Sequence, residues 1–316
     1  MPANLEQMFY VGEEPWHKSG NKFDDAPTVD EAYDQSGCDF TVSTIPLYTE
    51  DKRLAPVKGI IRDDNKEIMG SCGPRWEPYQ NKTLFEWFRP MIDAELIQLH
   101  TGGSLCGGQK VWVLAKTAID NQEVVKGDEV SSFLMVSNCH NGKTAIRVGF
   151  TPIRIVCANT LAMAHSSASS RLLRVRHTAN AGTTLETIRD IMNLASQEFT
   201  ATVQQYQFLA SRDVSMKDLR KYVKILLNVQ DKDDKDLPTR TDNKINDIVD
   251  KALHGLGQDI NGVRGTWWGA YNGVTEYLNY THGRNESNRL DNLWFGQNVN
   301  VNGSALDTAV EMANSA

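Results

Sequence analysis

Hydrophobic periodicity changes character once along this chain, near residue 178. Before that point apolar, β-branched and aromatic residues form short runs with a period of two, as in Thr41–Thr49, Val57–Arg62, Lys110–Lys116 and Phe133–Ser137. Alternation of this kind puts successive side chains on opposite faces of a strand. Asp-Asp-Asn, Gly-Gly and Asn-Gly steps between the runs supply turns. After residue 178 the spacing becomes helical, which predicts helices from Gly182 to about Ser211, from a Ser215 N-cap to about Asn228, and over Asp242–His254, Thr266–Tyr280 and Ser304–Asn314. Strands followed by helices, without βαβ alternation, predict an α+β fold. Its N-terminal half is β-rich, an antiparallel sheet with a packed helix, and its C-terminal half is all-helical.

The expected division is an irregular segment over 1–27, a β-rich domain over 28–178 and a helical region over 179–316. Gly12, Pro15, Gly20 and Pro27 punctuate the first segment. Thr28 with Glu31 three residues later predicts a capped helix start. A second helix in the β-rich part is expected from Asn81 to about Arg89, with Pro90 ending or kinking it.

Composition narrows the class. With 316 residues, 40% apolar and 23% charged, the chain can bury a sizeable core. No run approaches the eighteen apolar residues of a membrane span, and the N-terminus has neither a basic nor an apolar leader region. The five cysteines, Cys38, Cys72, Cys106, Cys139 and Cys157, are odd in number and contain no C-x-x-C. A disulfide framework or zinc knuckle is not expected; a cytoplasmic protein without membrane association is.

The net charge of −7 argues against a generally basic nucleic-acid coat, but it is an average. The stretch Val130–Leu185 holds no Asp or Glu, yet contains Lys143, Arg147, Arg154, Arg171, Arg174 and Arg176. Within it, Ile146, Val148 and Phe150 fall on one strand face, with Ala145, Arg147 and Gly149 on the other. Leu173 and Val175 alternate in the same way with Arg174 and Arg176. Small or basic faces on adjacent strands would form a groove suited to phosphates. The competing reading pairs these arginines with acidic helices of the same chain or of a neighbouring subunit, and a small anionic ligand is a third.

Catalytic patterns are weak. Gly102–Lys110 has the glycines of a phosphate loop but no Lys-Ser/Thr pair, and a strand pattern follows it. It reads better as a hairpin connection. Cys139 and His140 would point opposite ways in a strand. Cys157 with His165 or His177, a Cys/His metal set, and a carboxylate site at Asp63, Asp64 and Glu67 are weaker than buried-thiol and turn readings. No catalytic residue, metal or cofactor is expected, and the chain does not read as an enzyme. In the aromatic helix Trp267, Tyr271, Val274 and Leu278 form a core stripe, to which Trp268 does not belong. Trp16, Trp76 and Tyr79 lie in loop-like surroundings and are the candidate base-stacking partners.

An ordered set of motifs carries a family resemblance. Asn4–Phe9, Pro15-Trp16-His17, Glu77-Pro78-Tyr79-Gln80-Asn81, Val111–Lys116, Arg154–Leu161, Arg176-His177-Thr178 and Trp268–Tyr277 resemble the phage/plasmid-like protein family of unknown function (domain of unknown function 932). The resemblance implies a protein of bacteriophages, plasmids and their hosts, and no established activity. At the level of architecture alone, a sheet with a basic groove followed by helices also looks like the single-strand annealing proteins of the Red-beta type. The resulting expectation is an oligomeric protein that binds nucleic acid, single-stranded DNA in preference to duplex, for annealing or protection in phage recombination or replication. Its contacts would be Lys143, Arg147, Arg154, Arg171, Arg174, Arg176, Trp16, Trp76 and Tyr79. The alternative is a phage factor acting on a host defence or replication protein, with no nucleic-acid ligand.

Overall fold

The period-two runs become the strands of two sheets, and the fold is α+β. The computed structural model describes residues 5–12, 19–154, 173–190, 195–282 and 297–315. Their elements divide between two compact units. The first comprises Met1–Ala118, Phe133–Phe150 and Leu172–Ala195; the second comprises Ile119–Ser132, Thr151–Arg171 and Ser196–Ala316.

In the first unit the larger sheet has the order β11-β10-β9-β7-β6-β1-β2. The strands are β1 (Leu5–Val11), β2 (Asn21–Phe23), β6 (Ile97–Leu105), β7 (Lys110–Thr117), β9 (Asp128–Cys139), β10 (Ile146–Arg154) and β11 (Leu173–Val175). β1 and β2 are parallel, while the β1–β6, β6–β7, β7–β9 and β10–β11 pairs are antiparallel. The core lies on one face, where Val111, Val113, Leu134, Val136, Ile146, Val148 and Val175 cluster with helix residues. Those helices are α1 (Val29–Gln35), α2 (Asn81–Glu86), α3 (Arg89–Asp93) and α4 (Ala181–Asp190), which supply Val29, Ala32, Leu84, Phe85, Met91 and Leu185. Thr28 and Glu31 form the expected capping box at α1. α2 ends at Glu86, and Pro90 starts the separate α3, where its missing N–H costs nothing. The smaller antiparallel sheet is β3 (Val42–Tyr48), β4 (Leu54–Arg62) and β5 (Ile68–Cys72).

The irregular segment expected at the N-terminus contains strand β1, which sits inside the larger sheet between β6 and β2. Its sequence hides the strand because Met8 and Phe9, which point to opposite faces, are both buried, so no polar alternation marks it. Glycines on β6 make room: a Cβ on Gly103 would lie 2.6 Å from Met8 Cβ and 2.7 Å from the Trp112 ring. Further along, Cys106, Gly107 and Gly108 all have positive φ and close the β6–β7 hairpin, as the reading of the glycine-rich run expected.

The division at residue 178 also moves. Helix α4 belongs to the first unit, where Trp87 Nε1 donates to the Leu185 carbonyl at 3.0 Å. Ile119–Ser132, with strand β8 (Gln122–Val125) and the start of β9, belongs to the helical unit. Gln122 there donates to Thr200, and Gln207 donates to the Glu123 carbonyl.

The second unit is built from α5 (Ala195–Ala210), α6 (Met216–Leu226), α7 (Thr239–His254), α8 (Trp267–Glu276) and α9 (Gln297–Ser315). Ser215 and Thr266 cap α6 and α8 through their side chains. Every residue of α8 is buried, so Trp268 packs inside along with the predicted stripe of Trp267, Tyr271, Val274 and Leu278. Gly273 lets α7 approach: a Cβ there would stand 2.5 Å from the Ala252 nitrogen. Glu276, also buried, accepts from Lys251 Nζ at 3.1 Å and from the Leu256 amide at 2.8 Å. Among the described residues no helix is long and apolar enough to cross a membrane.

Candidate nucleic-acid interface

The acid-free stretch places its basic residues in two different environments. β10 and β11 run antiparallel with Arg147 directly opposite Arg174, flanked by the pairs Ile146–Val175 and Val148–Leu173. Ile146, Val148 and Val175 enter the core, so alternation turns Arg147 and Arg174 to the other face. Arg174 and Arg176 are exposed and Arg147 is half-buried. Among the described residues no carboxylate pairs with any of the three. Arg53, Arg62, Arg89 and Arg220 by contrast are all in ion pairs.

Like charges directly opposite on neighbouring strands destabilise a sheet. Burial lowers the Arg147 pKa; nearby Cys139 partly offsets this, and the facing Arg174 lowers it further. The pair is a local electrostatic cost, and a bound anion would relieve it. Lys143, in the turn before β10, is exposed as well. Among the described residues β11 is the terminal strand of the sheet path.

Arg154 leaves the proposed set. Its guanidinium is 1% exposed and grips Asp128, itself 0% exposed, through Nε at 2.6 Å and Nη2 at 2.7 Å. It also donates to the carbonyls of Leu256 and Gly257, and Trp268 Nε1 donates to the second Asp128 oxygen at 2.8 Å. All of these groups lie in the second unit. A buried guanidinium committed in this way is out of reach of a phosphate. The intramolecular pairing weighed for the stretch as a whole is therefore realised at this one arginine. Its partner is a loop-end aspartate two residues outside the acid-free window, where a composition count could not find it. Arg171 and Trp16 lie outside the described residues, as do Cys157 and His165.

Neither described aromatic candidate offers an open ring on the arginine face. Tyr79 is buried, its carbonyl accepts from Asn138 at 2.7 Å, and burial pushes its phenol up to about 12. Trp76 is half-buried and stacks on His177, with ring centroids 5.0 Å apart and planes 22° from parallel. Both pack with the core side of the sheet.

The motifs around them act as clasps. Gln80 pairs with both main-chain groups of Val42, accepting at 3.1 Å and donating at 2.9 Å, as an added strand would. Asn81 donates to the Cys38 and Phe40 carbonyls and contacts His140 Nε2 at 2.7 Å. His140 and His177 are buried, and neither His140 Nδ1 nor either His177 ring nitrogen makes a well-formed hydrogen bond. Burial, reinforced by His177, holds His140 at about 3, and burial holds His177 at about 4, so both rings are neutral. Cys139 is buried too. The carboxylates at the β4–β5 turn are spent locally: Asp63 accepts from Thr41 and Ser43, and Asp64 accepts from Arg62. Among the described residues no three His, Cys, Asp or Glu side chains gather into a metal-binding group.

No curated protein and no solved structure matches the chain. The model of the family described as "Domain of unknown function (DUF932)" matches residues 68–305, from β5 into α9. That span is well over half of the sequence and contains the Gln80–Asn81 clasp, the Arg147–Arg174 pair and the Arg154–Asp128–Trp268 junction. The chain belongs to the DUF932 family.

Proposed function

We propose that the protein binds nucleic acid through phosphate contacts on the β10–β11 face, with Arg147, Arg174 and Arg176 as its core and Lys143 at its margin. The observation that carries this reading is the in-register Arg147–Arg174 pair, which has no carboxylate partner among the described residues. Arg53, Arg62, Arg89, Arg154 and Arg220 are neutralised by carboxylates, whereas this pair is charged and opposed across two strands, and polyanionic phosphate would supply its counter-charge. In the mobile-element setting that the family resemblance implies, such a surface would serve annealing or protection of DNA without nucleotide hydrolysis.

Fluorescence anisotropy with labelled oligonucleotides at low salt tests the reading. Binding is expected, with log K falling linearly as log salt rises. Changing Arg147, Arg174 and Arg176 together to Glu should abolish it while the far-ultraviolet circular dichroism stays unchanged. Affinity that survives this charge reversal refutes the assignment. A host protein that stays bound to the chain after nuclease treatment, with no oligonucleotide binding, would favour the protein-interaction alternative.

A further inference from the structure

The smaller sheet is apolar on both faces, and only one of them is covered. Alternation along its strands turns Val42, Ile60 and Cys72 inward, where they join the core. The opposite face carries Ile45 and Leu47 of β3, Val57 and Ile61 of β4 and Ile68 of β5. The register sets Ile45 against Gly59 and Ile61 against Ile68. A Cβ on Gly59 would lie 3.1 Å from both Ile45 Cγ1 and Leu47 Cδ2, so these two side chains lie over the middle strand. No position of the strands on this face is charged. Four of the eight large hydrophobic side chains exposed among the described residues fall here or beside the β3–β4 turn: Tyr48, Leu54, Val57 and Ile68. Ile68 is 63% exposed and Val57 41%. Concentrated apolar surface of this kind marks an interaction site.

Charge is confined to the two ends of the sheet. Residues 42–72 hold as many Lys and Arg as Asp and Glu, in a chain that carries −7. Most are spent locally: Arg53 pairs with Asp51, Arg62 pairs with Asp64, and Asp63 accepts from Thr41 and Ser43. One acid and one base remain at each end without an ion pair among the described residues. They are Glu50 with Lys52 at the β3–β4 turn and Glu67 with Lys66 at the β4–β5 turn, all four exposed. A two-fold axis between two copies of this face sets each end either against itself or against the opposite end. In both arrangements an unpaired acid can meet an unpaired base, so the rim of a self-paired sheet is complementary in charge. A polyanion finds no cation on the face itself.

We propose that this face is a self-association surface, where two copies of the chain pack their β3–β4–β5 sheets together and cover Ile45, Leu47, Val57, Ile61 and Ile68. Sheets packed in this way stand about 10 Å apart with their side chains interdigitated. The nine residues of β4 span about 30 Å and three strands span about 14 Å, a flat footprint of about 400 Å² on each copy. A standard interface takes about 800 Å² from each partner, so the product is a reversible dimer that assembles in the micromolar range. The surface lies on a different sheet from the β10–β11 arginines, and neither reading depends on the other.

Sedimentation velocity on the full chain over a range of concentration tests the proposal. The unaltered protein should pass from monomer to dimer as concentration rises. Ile68→Glu sets an unpaired carboxylate in the apolar face and should weaken the dimer by about tenfold or more, with the far-ultraviolet circular dichroism unchanged. Val57→Glu should do the same, and it supplies the readout if Ile68→Glu does not fold. Met216→Glu charges an exposed apolar residue of the second unit and should leave the dimer intact. A chain that stays monomeric up to about 100 µM overturns the proposal and assigns the face to a different partner. A dimer that survives both Ile68→Glu and Val57→Glu, or that Met216→Glu weakens equally, overturns it as well.

Discussion

Replacing Arg154 by Met tests whether this arginine builds the fold or holds a ligand. The substitution keeps an unbranched apolar stem and removes the guanidinium with its charge. Asp128, 0% exposed, is left with Trp268 Nε1 as its remaining side-chain donor, and the Leu256 and Gly257 carbonyls each lose a donor. Removing one member of a buried, hydrogen-bonded ion pair costs about 3–5 kcal/mol, because the remaining charge stays buried without compensation. At about 2–4 °C per kcal/mol for a unit of this size, the melting temperature should fall by about 6–20 °C. Asp128→Leu should cost a similar amount by stranding the guanidinium. The double substitution leaves no charge behind, so it should cost clearly less than the two singles added together. Urea titration followed by tryptophan fluorescence measures all three, and Trp268 is a reporter at the junction itself. A single substitution costing under about 1 kcal/mol, or costs that simply add, would refute the buried-pair account. At temperatures where Arg154→Met remains folded, its affinity for oligonucleotides should equal that of the parent protein.

Three further outcomes follow from the packing. His100, His140 and His177 are held by burial at about 4, 3 and 4, against an ordinary value near 6.5. The unfolded chain therefore takes up protons first as pH falls below about 6.5. Stability is fully present above that value and declines towards pH 4, by about 2 kcal/mol per histidine at pH 5. Urea midpoints that are equal at pH 7.5 and pH 5 would contradict this. Gly273→Ala drives a methyl group into the α7 backbone, 2.6 Å from Ala252 Cα, and should destabilise by about 1–3 kcal/mol. Gly182→Ala in α4 meets only the Tyr79 ring at 4.0 Å and should be neutral or stabilising by up to about 1 kcal/mol, which makes the two a matched pair for thermal melts. Asn81→Ala leaves the Cys38 and Phe40 carbonyls without their side-chain donor and His140 without its partner; a loss of about 2–4 kcal/mol in denaturant titration is expected.

Local chemistry made much of this fold legible. The Thr28–Glu31 capping box and the Ser215 cap are each determined by residues within one turn, and each stands where the spacing predicts; the helix expected to run to Arg89 stops at Glu86 instead, and Pro90 lies in the first turn of the next one. The alternation of Arg147 against Ile146 and Val148 likewise gave the face that each side chain occupies, and Arg174 lies opposite it on the adjacent strand. What stayed hidden depends on partners distant in sequence. β1 has no alternating pattern because both of its faces are covered. Arg154 looks like Arg147 in its strand context, and only Asp128, twenty-six residues away, separates a structural arginine from a surface one. Tyr79 sits in a loop of polar neighbours, yet Asn138 and the core side of the sheet draw it inside.

The two units exchange chain five times, at residues 118, 132, 150, 171 and 195. β9 starts in the second unit and finishes in the first, and β10 makes the opposite passage. No single scission can therefore release either unit whole. A truncation after Thr178 would strip α4 from its sheet and leave residues 119–132 and 151–154 without the helices they belong to. Unfolding one unit must also free the ends of strands held in the other, so the chain should lose structure as one cooperative system even though it packs as two.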